Sequence, residues 1–537
     1  MSYIDFTVWA NGNIERVLTV IMFVTVTVFM VALSKKTVQM LQLCQYKMRE
    51  FKTWFRDSGY TYFYRYFFLS FLTTLGMSIF VACFGNFVGW RYLGFLFFVI
   101  LTWLFLVITK VKSKTPLKFT PRVKRLYFTL ILSIVFLVLI FSFIPSGIFL
   151  YSHIGILPLF CMPIVLFANF MNAPIEKLIC KRYIKKAKIK LAQFPNLKII
   201  GITGSFGKTS AKNILSEILS TRFNVCKSPS SFNTPMGLTK TINNTLNSSH
   251  DVLILEMGAR YKGDILELVD IARLDFCMIV SVGNMHLDTF GSLEQVLNTK
   301  FEIISGLKQD GIAILDGSNF DIRARANGYR QAVFVGTQSD IAMSDNIEVC
   351  KNGISFDMIL NGKKIKVHSS LFGRHVPHLM TMCCAVAFKM GIDDTELMKN
   401  TLQRVQPLPH RLQLIQNNGN LIIDNAFSSN LIGAKNALEV MGQFKDLAKV
   451  IITPGIVQQG TQTQNTNMEL GKEIAKVCDY AFLVGSRANF IFDGIRQENE
   501  KVKVQVVKTL FEAVEMLKAI EGNYVVLFEN DLPDSME

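Results

Sequence analysis

Charged side chains are scarce in this sequence: they make up 18% of its 537 residues, against about 25% in ordinary soluble domains. Half of the residues are hydrophobic, which excludes a disordered chain and indicates that part of the protein lies in lipid. The ten cysteines include no C-x-x-C pair, so neither a zinc ribbon nor a disulfide framework is predicted, and a reducing cytoplasm fits. The first apolar run follows Asp5 and Glu15 without a basic segment, which is not the pattern of a cleavable signal peptide.

The net charge of +16 belongs to the N-terminal part of the chain. Residues 1–190 hold 23 Lys and Arg against five Asp and Glu, whereas the remainder holds 34 against 36. The remainder is therefore predicted to be a near-neutral globular region. Membrane topology explains the excess of positive charge better than nucleic-acid binding does, so no nucleic-acid partner is predicted.

Four stretches of the N-terminal part contain no charged residue, and each has about the length of a helix through a bilayer core of about 30 Å, which needs roughly 20 residues. They are residues 17–33, 66–90, 92–109 and 126–174. The last stretch is long enough for two helices, near 126–144 and 154–171, separated by Pro145, Ser146 and Gly147. An α-helical integral membrane domain with five spans is therefore predicted.

Lysine and arginine cluster in alternate loops of this domain, after the first, third and fifth spans. Because such residues favour the cytoplasmic side of a membrane, the N-terminus is predicted outside and the C-terminal region in the cytosol. No Asp, Glu, Lys or Arg falls inside a predicted span, which favours an anchor over a transporter or a proton relay.

From residue 197 onward, short apolar runs alternate with helical segments, which is the pattern of an α/β region with a mostly parallel sheet. Strands are predicted at residues 197–202, 252–255, 276–282 and 312–315, and, after a Pro-Leu-Pro break, at 421–423, 450–452, 482–484, 504–507 and 525–528. Residues 333–367 are predicted to form hairpins with turns at Asn352-Gly353 and Asn361-Gly362, and residues 378–390 a helix.

A glycine-rich segment, residues 201–210, joins the first of these strands to a helix. In such a loop the glycines let the backbone wrap around a phosphate, and backbone N–H groups and the helix dipole face the anion. Lys208 is expected to reach the terminal phosphates, although Ile202 stands where the strict motif has its first glycine. The residues expected to hold the nucleotide are Thr203, Gly204, Ser205, Gly207, Lys208, Thr209 and Ser210.

This loop and five further segments resemble the Mur ligase family of ATP-dependent amide ligases. The matching segments are 201–210 (GITGSFGKTS), 232–238 (FNTPMGL), 256–264 (EMGARYKGD), 283–292 (GNMHLDTFGS), 300–303 (KFEI) and 408–411 (LPHR). The resemblance covers about residues 196–537 and implies an α/β central ATP-binding domain at 176–405 and a Rossmann-like α/β C-terminal domain at 406–537. The membrane domain, residues 1–175, stands where soluble members of the family hold a UDP-sugar.

The resemblance implies a site for two Mg²⁺ ions with Thr209, Glu256, His286 and Lys300 as ligands. Glu256 ends a predicted strand beside the phosphate loop, where a carboxylate can bind Mg²⁺. In the family the lysine that matches Lys300 is carbamylated, which turns a cation into an anionic oxygen ligand. Taken singly, these side chains are also compatible with a capping glutamate, a structural histidine and a solvated lysine.

Further contacts are implied for ATP and for the substrate. Arg411 matches a residue that meets the ATP phosphates, and Asp424 one that accepts from the ribose; a surface salt bridge is the alternative for both. Lys208, His286, Lys300 and Arg411 are implied as catalytic residues, and Asn233, Thr234 and Arg260 as substrate contacts.

The implied reaction has two steps, in which a carboxylate attacks the γ-phosphate to give an acyl phosphate and an amine then displaces phosphate to form an amide. The segments resemble those of the family member that adds D-alanyl-D-alanine to a muramyl peptide. This resemblance implies an enzyme of the bacterial cytoplasmic membrane that acts on a cell-wall or other envelope precursor with an amino acid or dipeptide as amine. Because the UDP-sugar domain is replaced, the donor is expected to be lipid-linked.

The chain departs from the family pattern at several positions. Val376 and Leu379 replace two asparagines that contact adenine, and one carboxylate is missing from the loop after Asp424. Two alternatives stay open: a poly-γ-glutamate synthase, which adds glutamate repeatedly, and a nucleotide-regulated membrane scaffold or transporter component. The intact Glu256, His286 and Lys300 favour a ligase over the second, since a binding module needs no second metal site.

Overall fold

The computed structural model describes residues 3–84, 93, 96–97, 100, 103–104, 115–142, 157–283, 285, 287–427, 430–457 and 459–530. The chain divides into two compact units, one within residues 1–179 and the other within residues 180–531. Each unit has its own hydrophobic core. The finer domain boundaries predicted at residues 175 and 405 stay predictions.

The first unit is built from four long helices and one short one, and the last of the five continues into the second unit. They are α1 (Tyr3–Leu43), α2 (Met48–Trp54), α3 (Tyr60–Phe84), α4 (Pro121–Ser142) and α5 (Cys161–Ala192), with a π-helical turn at Phe55–Gly59 and a 3₁₀ turn at Leu157–Phe160. Met30, Leu41, Leu130, Ile134 and Val165 are fully buried in one cluster, so α1, α4 and α5 share a core.

Two helical segments among the described residues are long and apolar enough to cross a membrane, Phe23–Leu43 and Pro121–Ile140. They overlap the first and the fourth predicted spans. The third predicted span, residues 92–109, lies mostly outside the described residues. Five spans, their orientation and a membrane location therefore stay predictions.

A carboxylate links two helices of this unit. Glu176 of α5 is 7% exposed and accepts hydrogen bonds from Nε of Arg125 at 2.7 Å and from Nη2 at 3.0 Å. Nε of Arg122 lies 3.8 Å from the same carboxylate, and its guanidinium lies 3.8 Å from the centre of the Tyr46 ring. Both arginines belong to the positive cluster that the sequence predicts after the third span, and in the structure they also hold α4 against α5.

The second unit begins with a nine-stranded sheet in the order β2-β3-β1-β4-β5-β6-β7-β8-β9. The strands are β1 (Lys198–Thr203), β2 (Val225–Lys227), β3 (Val252–Glu256), β4 (Leu274–Ile279), β5 (Leu307–Asp316), β6 (Ala332–Val335), β7 (Ala342–Cys350), β8 (Gly353–Leu360) and β9 (Lys363–Ser369). The strands from β2 to β7 pair in parallel, and β7, β8 and β9 pair antiparallel.

Helices cover both faces of this sheet, which explains why its parallel strands are continuous apolar runs. They are α6 (Lys208–Leu219), α7 (Pro235–Asn244), α8 (Asp264–Ile271), α9 (Leu287–Phe290), α10 (Leu293–Phe301), α11 (Phe320–Arg325), α12 (Val376–Lys389) and α13 (Thr395–Arg404), with a 3₁₀ turn at Glu302–Gly306. Ile200 of β1 packs with Ile214 of α6, whereas Ile199 packs on the opposite face with Leu238 of α7.

A second sheet of six strands follows in the order β10-β11-β15-β12-β13-β14. Its strands are β10 (Gln413–Asn417), β11 (Asn420–Asn425), β12 (Ala448–Thr453), β13 (Tyr480–Val484), β14 (Lys503–Val507) and β15 (Tyr524–Glu529). Its helices are α14 (Leu431–Gly442), α15 (Thr463–Val477), α16 (Ala488–Glu498) and α17 (Leu510–Leu517), with a 3₁₀ turn at Gly460–Gln462. β10 is antiparallel to β11, and the other pairs are parallel.

The prediction of an α/β region with mostly parallel sheets is confirmed. The strand predicted at 276–282 instead ends at Ile279, because Ser281 leaves the ladder and bonds the phosphate loop. The sequence does not predict β2 or β10, since one has three residues and the other ends in polar side chains.

Two glycines permit a close crossing of α15 and α16. A Cβ at Gly471 would overlap the carbonyl oxygen of Ile491, and a Cβ at Gly494 would overlap that of Met468. Gly471→Ala is therefore expected to lower the free energy of unfolding of the second unit by about 1–3 kcal/mol, because the helices must separate. Thermal unfolding of the full chain measures this. The control is Gly433→Ala in α14, where no atom lies within 3.6 Å of the new Cβ, and equal melting of the two variants would contradict the prediction.

Candidate active site

The phosphate loop connects β1 to α6, and Ser281, which follows β4, holds it through the loop's backbone amides. Gly207, the N-cap of α6, has φ +79°, a left-handed conformation that favours glycine. The N–H of Ser205 donates to the carbonyl of Ser281 at 3.0 Å, and the N–H of Phe206 donates to the Ser281 hydroxyl at 2.9 Å. The loop therefore leads directly into a helix N-terminus, the arrangement that binds phosphate.

Two hydroxyls that the sequence predicts as nucleotide contacts also stabilise the loop. The Thr203 hydroxyl is fully buried and donates to the carbonyl of Met257 at 2.9 Å. The Ser205 hydroxyl donates to the carbonyl of Gly283 at 3.1 Å. Ser210 lies in the first turn of α6.

Lys208 bends back over the loop. Its ammonium donates to the carbonyls of Gly204 at 2.7 Å and Ser205 at 3.2 Å. Burial lowers the pKa of Lys208, Arg411 adds to this effect, and Glu256 opposes it. The lysine is thus electrostatically coupled to a carboxylate and to a second cation.

Glu256 is that carboxylate. It ends β3 and pairs in register with Ile202 of β1, which puts it beside the phosphate loop. Its Oε2 accepts from the Thr209 hydroxyl at 2.9 Å, and its Oε1 accepts from the Asn233 amide at 3.2 Å. The ammonium of Lys212 lies 3.3 Å from Oε2.

Arg411, the second cation, reaches the same site from the segment that precedes the second sheet. Its Nη2 donates to the Thr209 hydroxyl at 3.2 Å, and its guanidinium lies 4.2 Å from the centre of the Phe427 ring. Nδ1 of His410 lies 2.7 Å from Oδ2 of Asp424. Arg411, the predicted phosphate contact, is therefore linked to Asp424, the predicted ribose contact, through His410, which precedes Arg411 in the chain.

Lys300 lies on α10 and is 2% exposed. Its pKa is lowered to about 7, first because of burial and then because of Lys208, while Asp264 and Glu302 oppose the shift. Glu302 also accepts from the N–H of Gly263 at 2.8 Å at the start of α8. A partly neutral amine at ordinary pH is the form that reacts with CO₂.

The remaining predicted residues are less informative. His286 lies outside the described residues. Thr234 is the N-cap of α7 and accepts from the N–H of Gly237 at 3.3 Å. The backbone N–H of Arg260 donates to Asp264 at 2.8 Å. The predicted roles of these three residues stay predictions.

The donor chemistry near the loop fits a magnesium ion. The hydroxyl of Thr209 and the carboxylate of Glu256 are hard oxygen ligands 2.9 Å apart, and Mg²⁺ typically takes only one or two protein ligands besides water and phosphate. Among the described residues, no group of three or more His, Cys, Asp or Glu side chains is placed to hold a metal. An ion here would thus depend on nucleotide oxygens for most of its ligands.

Sequence reasoning missed several residues of the site. Lys212 follows Lys208 by one helical turn, and its place among the apolar residues of an amphipathic helix was the available signal. Phe427 carries no sequence signal for stacking on Arg411. Val376 and Leu379, two of the predicted departures from the family pattern, lie in the hydrophobic core.

Residues 202–387 match the family model of the Mur ligase middle domain. Over 330 residues the chain is 28% identical to the UDP-N-acetylmuramoyl-tripeptide--D-alanyl-D-alanine ligase of Bacillus subtilis, which covers 61% of this chain and 70% of that protein. The enzyme of the same name from Escherichia coli is 28% identical over 304 residues, covering 55% of this chain and 66% of that protein. The crystal structure of the MurF ligase from Thermotoga maritima in complex with ADP has a TM-score of 0.59 at 24% identity and covers 66% of this chain and 80% of that chain, which shows a shared fold.

Proposed function

We propose that this chain belongs to the Mur ligase family, whose middle-domain model matches residues 202–387, and that it is an ATP-dependent ligase that joins D-alanyl-D-alanine to a muramyl tripeptide. The observation that carries the proposal is the convergence of Lys208, Thr209, Glu256 and Arg411 at one end of the phosphate loop. A simple nucleotide-binding loop needs no arginine from a second sheet domain to complete it.

The cationic residues and the oxygen ligands of the site have different proposed roles. Lys208 and Arg411 are placed to neutralise the phosphoryl group as it passes to the donor carboxylate, giving an acyl phosphate, and such preorganised charges stabilise a transition state without reorganising. Thr209 and Glu256 would hold Mg²⁺, which when bound supplies further positive charge to the transferred group. Asn233 ties its own segment to Glu256, which supports its predicted place on the substrate side. No side-chain nucleophile is required.

Lys300 supplies the second part of the proposed metal site. Its buried, partly neutral amine can attack CO₂, forming a carbamate and releasing a proton to solvent. The carbamate would be an anionic oxygen ligand, and with His286 it would complete the two-ion arrangement that the family resemblance implies.

We propose further that the enzyme sits in the cytoplasmic membrane of a bacterium and takes a lipid-linked donor. Support comes from the two apolar segments, Phe23–Leu43 and Pro121–Ile140, and from the charge asymmetry of residues 1–190. A membrane anchor raises the effective concentration of a donor held in the same bilayer.

Phosphate release by the full-length protein in detergent tests the reaction. With ATP and Mg²⁺, release is expected only when D-alanyl-D-alanine and a muramyl tripeptide are both present, whereas D-alanine, glutamate and glycine give none. Repeated addition of glutamate would instead support a poly-γ-glutamate synthase. Release that needs neither acid nor amine would favour a nucleotide-regulated scaffold.

The choice of donor is a separate prediction. In mixed detergent–lipid micelles, kcat/KM is expected to be at least about tenfold higher for the lipid-linked muramyl tripeptide than for its nucleotide-linked form, because donor and enzyme share one surface. Parallel progress curves with the two donors measure the ratio. Equal values would leave the ligase assignment standing and remove the lipid-linked donor.

A further inference from the structure

Lys212 is one of the largest fully buried side chains among the described residues, with 1% of its surface exposed. Its ammonium lies 3.3 Å from Oε2 of Glu256, whose side chain is 2% exposed, and it donates a hydrogen bond to the carbonyl of Ser230. A buried charge is tolerated only when it is paired and hydrogen-bonded, and these two partners meet that need.

Glu256 has its other contacts with neutral groups. Thr209 donates to Oε2 and Asn233 donates to Oε1, while Lys212 makes the one ion pair of Glu256 among the described residues. Lys212 therefore supplies the direct counter-charge of this carboxylate when no divalent cation binds there, in addition to the longer-range attraction of Lys208 and Arg411. A bound divalent cation and the Lys212 ammonium would both contact Oε2 of Glu256, the oxygen that also accepts from the Thr209 hydroxyl.

The second contact of Lys212 leads to the substrate side. Ser230 has φ +45°, a conformation that residues other than glycine seldom adopt, and its carbonyl receives the ammonium. It belongs to the segment 228–233, which begins with Ser228, bonded to the backbone of Glu256, and ends with Asn233. Helix α6, the carboxylate and this segment are thus joined at one ammonium group.

We infer that Lys212 is a positioning residue, an internal counter-ion that balances Glu256 until a divalent cation binds there and that ties the segment 228–233 to the state of the cation site. The inference rests on the proposed function, because it takes Glu256 and Thr209 as the cation's ligands. When the cation binds, the attraction between Glu256 and Lys212 weakens, and the ammonium is held mainly by the Ser230 carbonyl. Cation binding thereby reaches the segment that carries Asn233.

The test compares Lys212→Met with the full-length parent in detergent by thermal unfolding, with a non-hydrolysable ATP analogue, with and without Mg²⁺. Without Mg²⁺ the variant is expected to melt about 6 °C lower, because the buried carboxylate of Glu256 loses its direct ion pair. Mg²⁺ is expected to raise its melting temperature by at least about 4 °C more than it raises that of the parent, since the ion restores the balance. If Lys212 had only a structural role, its substitution would lower the melting temperature by the same amount with and without Mg²⁺.

Two further variants separate charge from packing. Glu256→Gln combined with Lys212→Met removes both charges and is expected to regain most of the lost stability without Mg²⁺, and to lose the extra Mg²⁺ response. The matched control is Lys227→Met, which removes a partly buried lysine 3.6 Å from Glu217 and is expected to behave like the parent. Lys212→Arg keeps the charge and is expected to retain part of the parent's behaviour.

Hydrogen exchange reads the segment directly. Without Mg²⁺, the amides of Ser228 and Phe232, which donate to Ile254 and Pro229, are expected to exchange about tenfold faster in Lys212→Met than in the parent. Unchanged exchange together with an equal Mg²⁺ response would overturn the inference while the ligase activity of the parent stood. A parent that shows no Mg²⁺-dependent stabilisation with the nucleotide would overturn both the inference and the proposed function.

Discussion

Lys208→Met is expected to reduce amine-dependent phosphate release by about 1,000-fold, the loss typical when one preorganised charge is removed from a transition state. The ammonium of Lys208 is already held over the loop by the carbonyls of Gly204 and Ser205, so little reorganisation is needed when a phosphate replaces them. Methionine keeps the length and apolar stem of the side chain, and α6 is expected to fold as before.

Single-turnover phosphate release with saturating substrates measures the effect of Lys208→Met. Its control is Lys476→Met on α15, an exposed lysine paired with Glu473, which is expected to leave the rate unchanged. Thermal unfolding of both variants checks that the fold is intact. A Lys208→Met enzyme within tenfold of the parent would remove this lysine from the phosphoryl-transfer site.

Lys300→Arg is expected to reduce the same activity by at least about 100-fold, because arginine stays cationic and forms no carbamate. The parent equilibrated with ¹³C-bicarbonate is expected to show a carbamate resonance in its ¹³C NMR spectrum that the variant lacks. Only the neutral amine reacts with CO₂, so the signal and the activity are both expected to fall as the pH drops below about 7. The Lys300→Arg variant keeps every other lysine and therefore serves as the control for signal from the rest of the chain.

The lowered pKa of Lys300 also makes the free energy of unfolding depend on pH. Between about pH 7 and the ordinary lysine pKa, the unfolded chain holds a proton at this position that the folded chain releases. The contribution of Lys300 to folding therefore becomes more favourable as pH rises through that window. Denaturant unfolding of the parent and of Lys300→Met at pH 7 and pH 9 measures it. A difference between the two proteins that does not change with pH would contradict the shift.

Much of the fold could be predicted because it is encoded locally. A buried parallel strand is a short apolar run whatever surrounds it, and β1, β3, β5 and β12 to β15 stand close to the predicted positions. The hairpin turn at Asn361-Gly362 is equally local, since its positive φ angles of 47° and 80° suit these two residue types. The sequence does not predict β2 and β10, because their pairing partners, rather than their composition, make them strands.

The N-terminal helical unit shows what local sequence patterns do not predict. Hydropathy and charge alternation predict five spans, and two of the described helical segments meet the length and apolarity of a span. The pairing of Glu176 with Arg125 has no signature in the sequence, because the two residues are 51 positions apart and belong to different helices.

By itself, the sequence determined the phosphate loop and the candidates around it, since residues 201–210 are contiguous and a strand, glycines and a helix start suffice to build it. Tertiary structure alone decided which side chains share the site. Thr209 and Arg411 are 202 positions apart and meet at 3.2 Å only because the segment before the second sheet returns to α6. Lys212 becomes the partner of Glu256 because β1 and β3 pair in register beneath α6, so a lysine that would be solvated in an isolated helix is buried against a carboxylate.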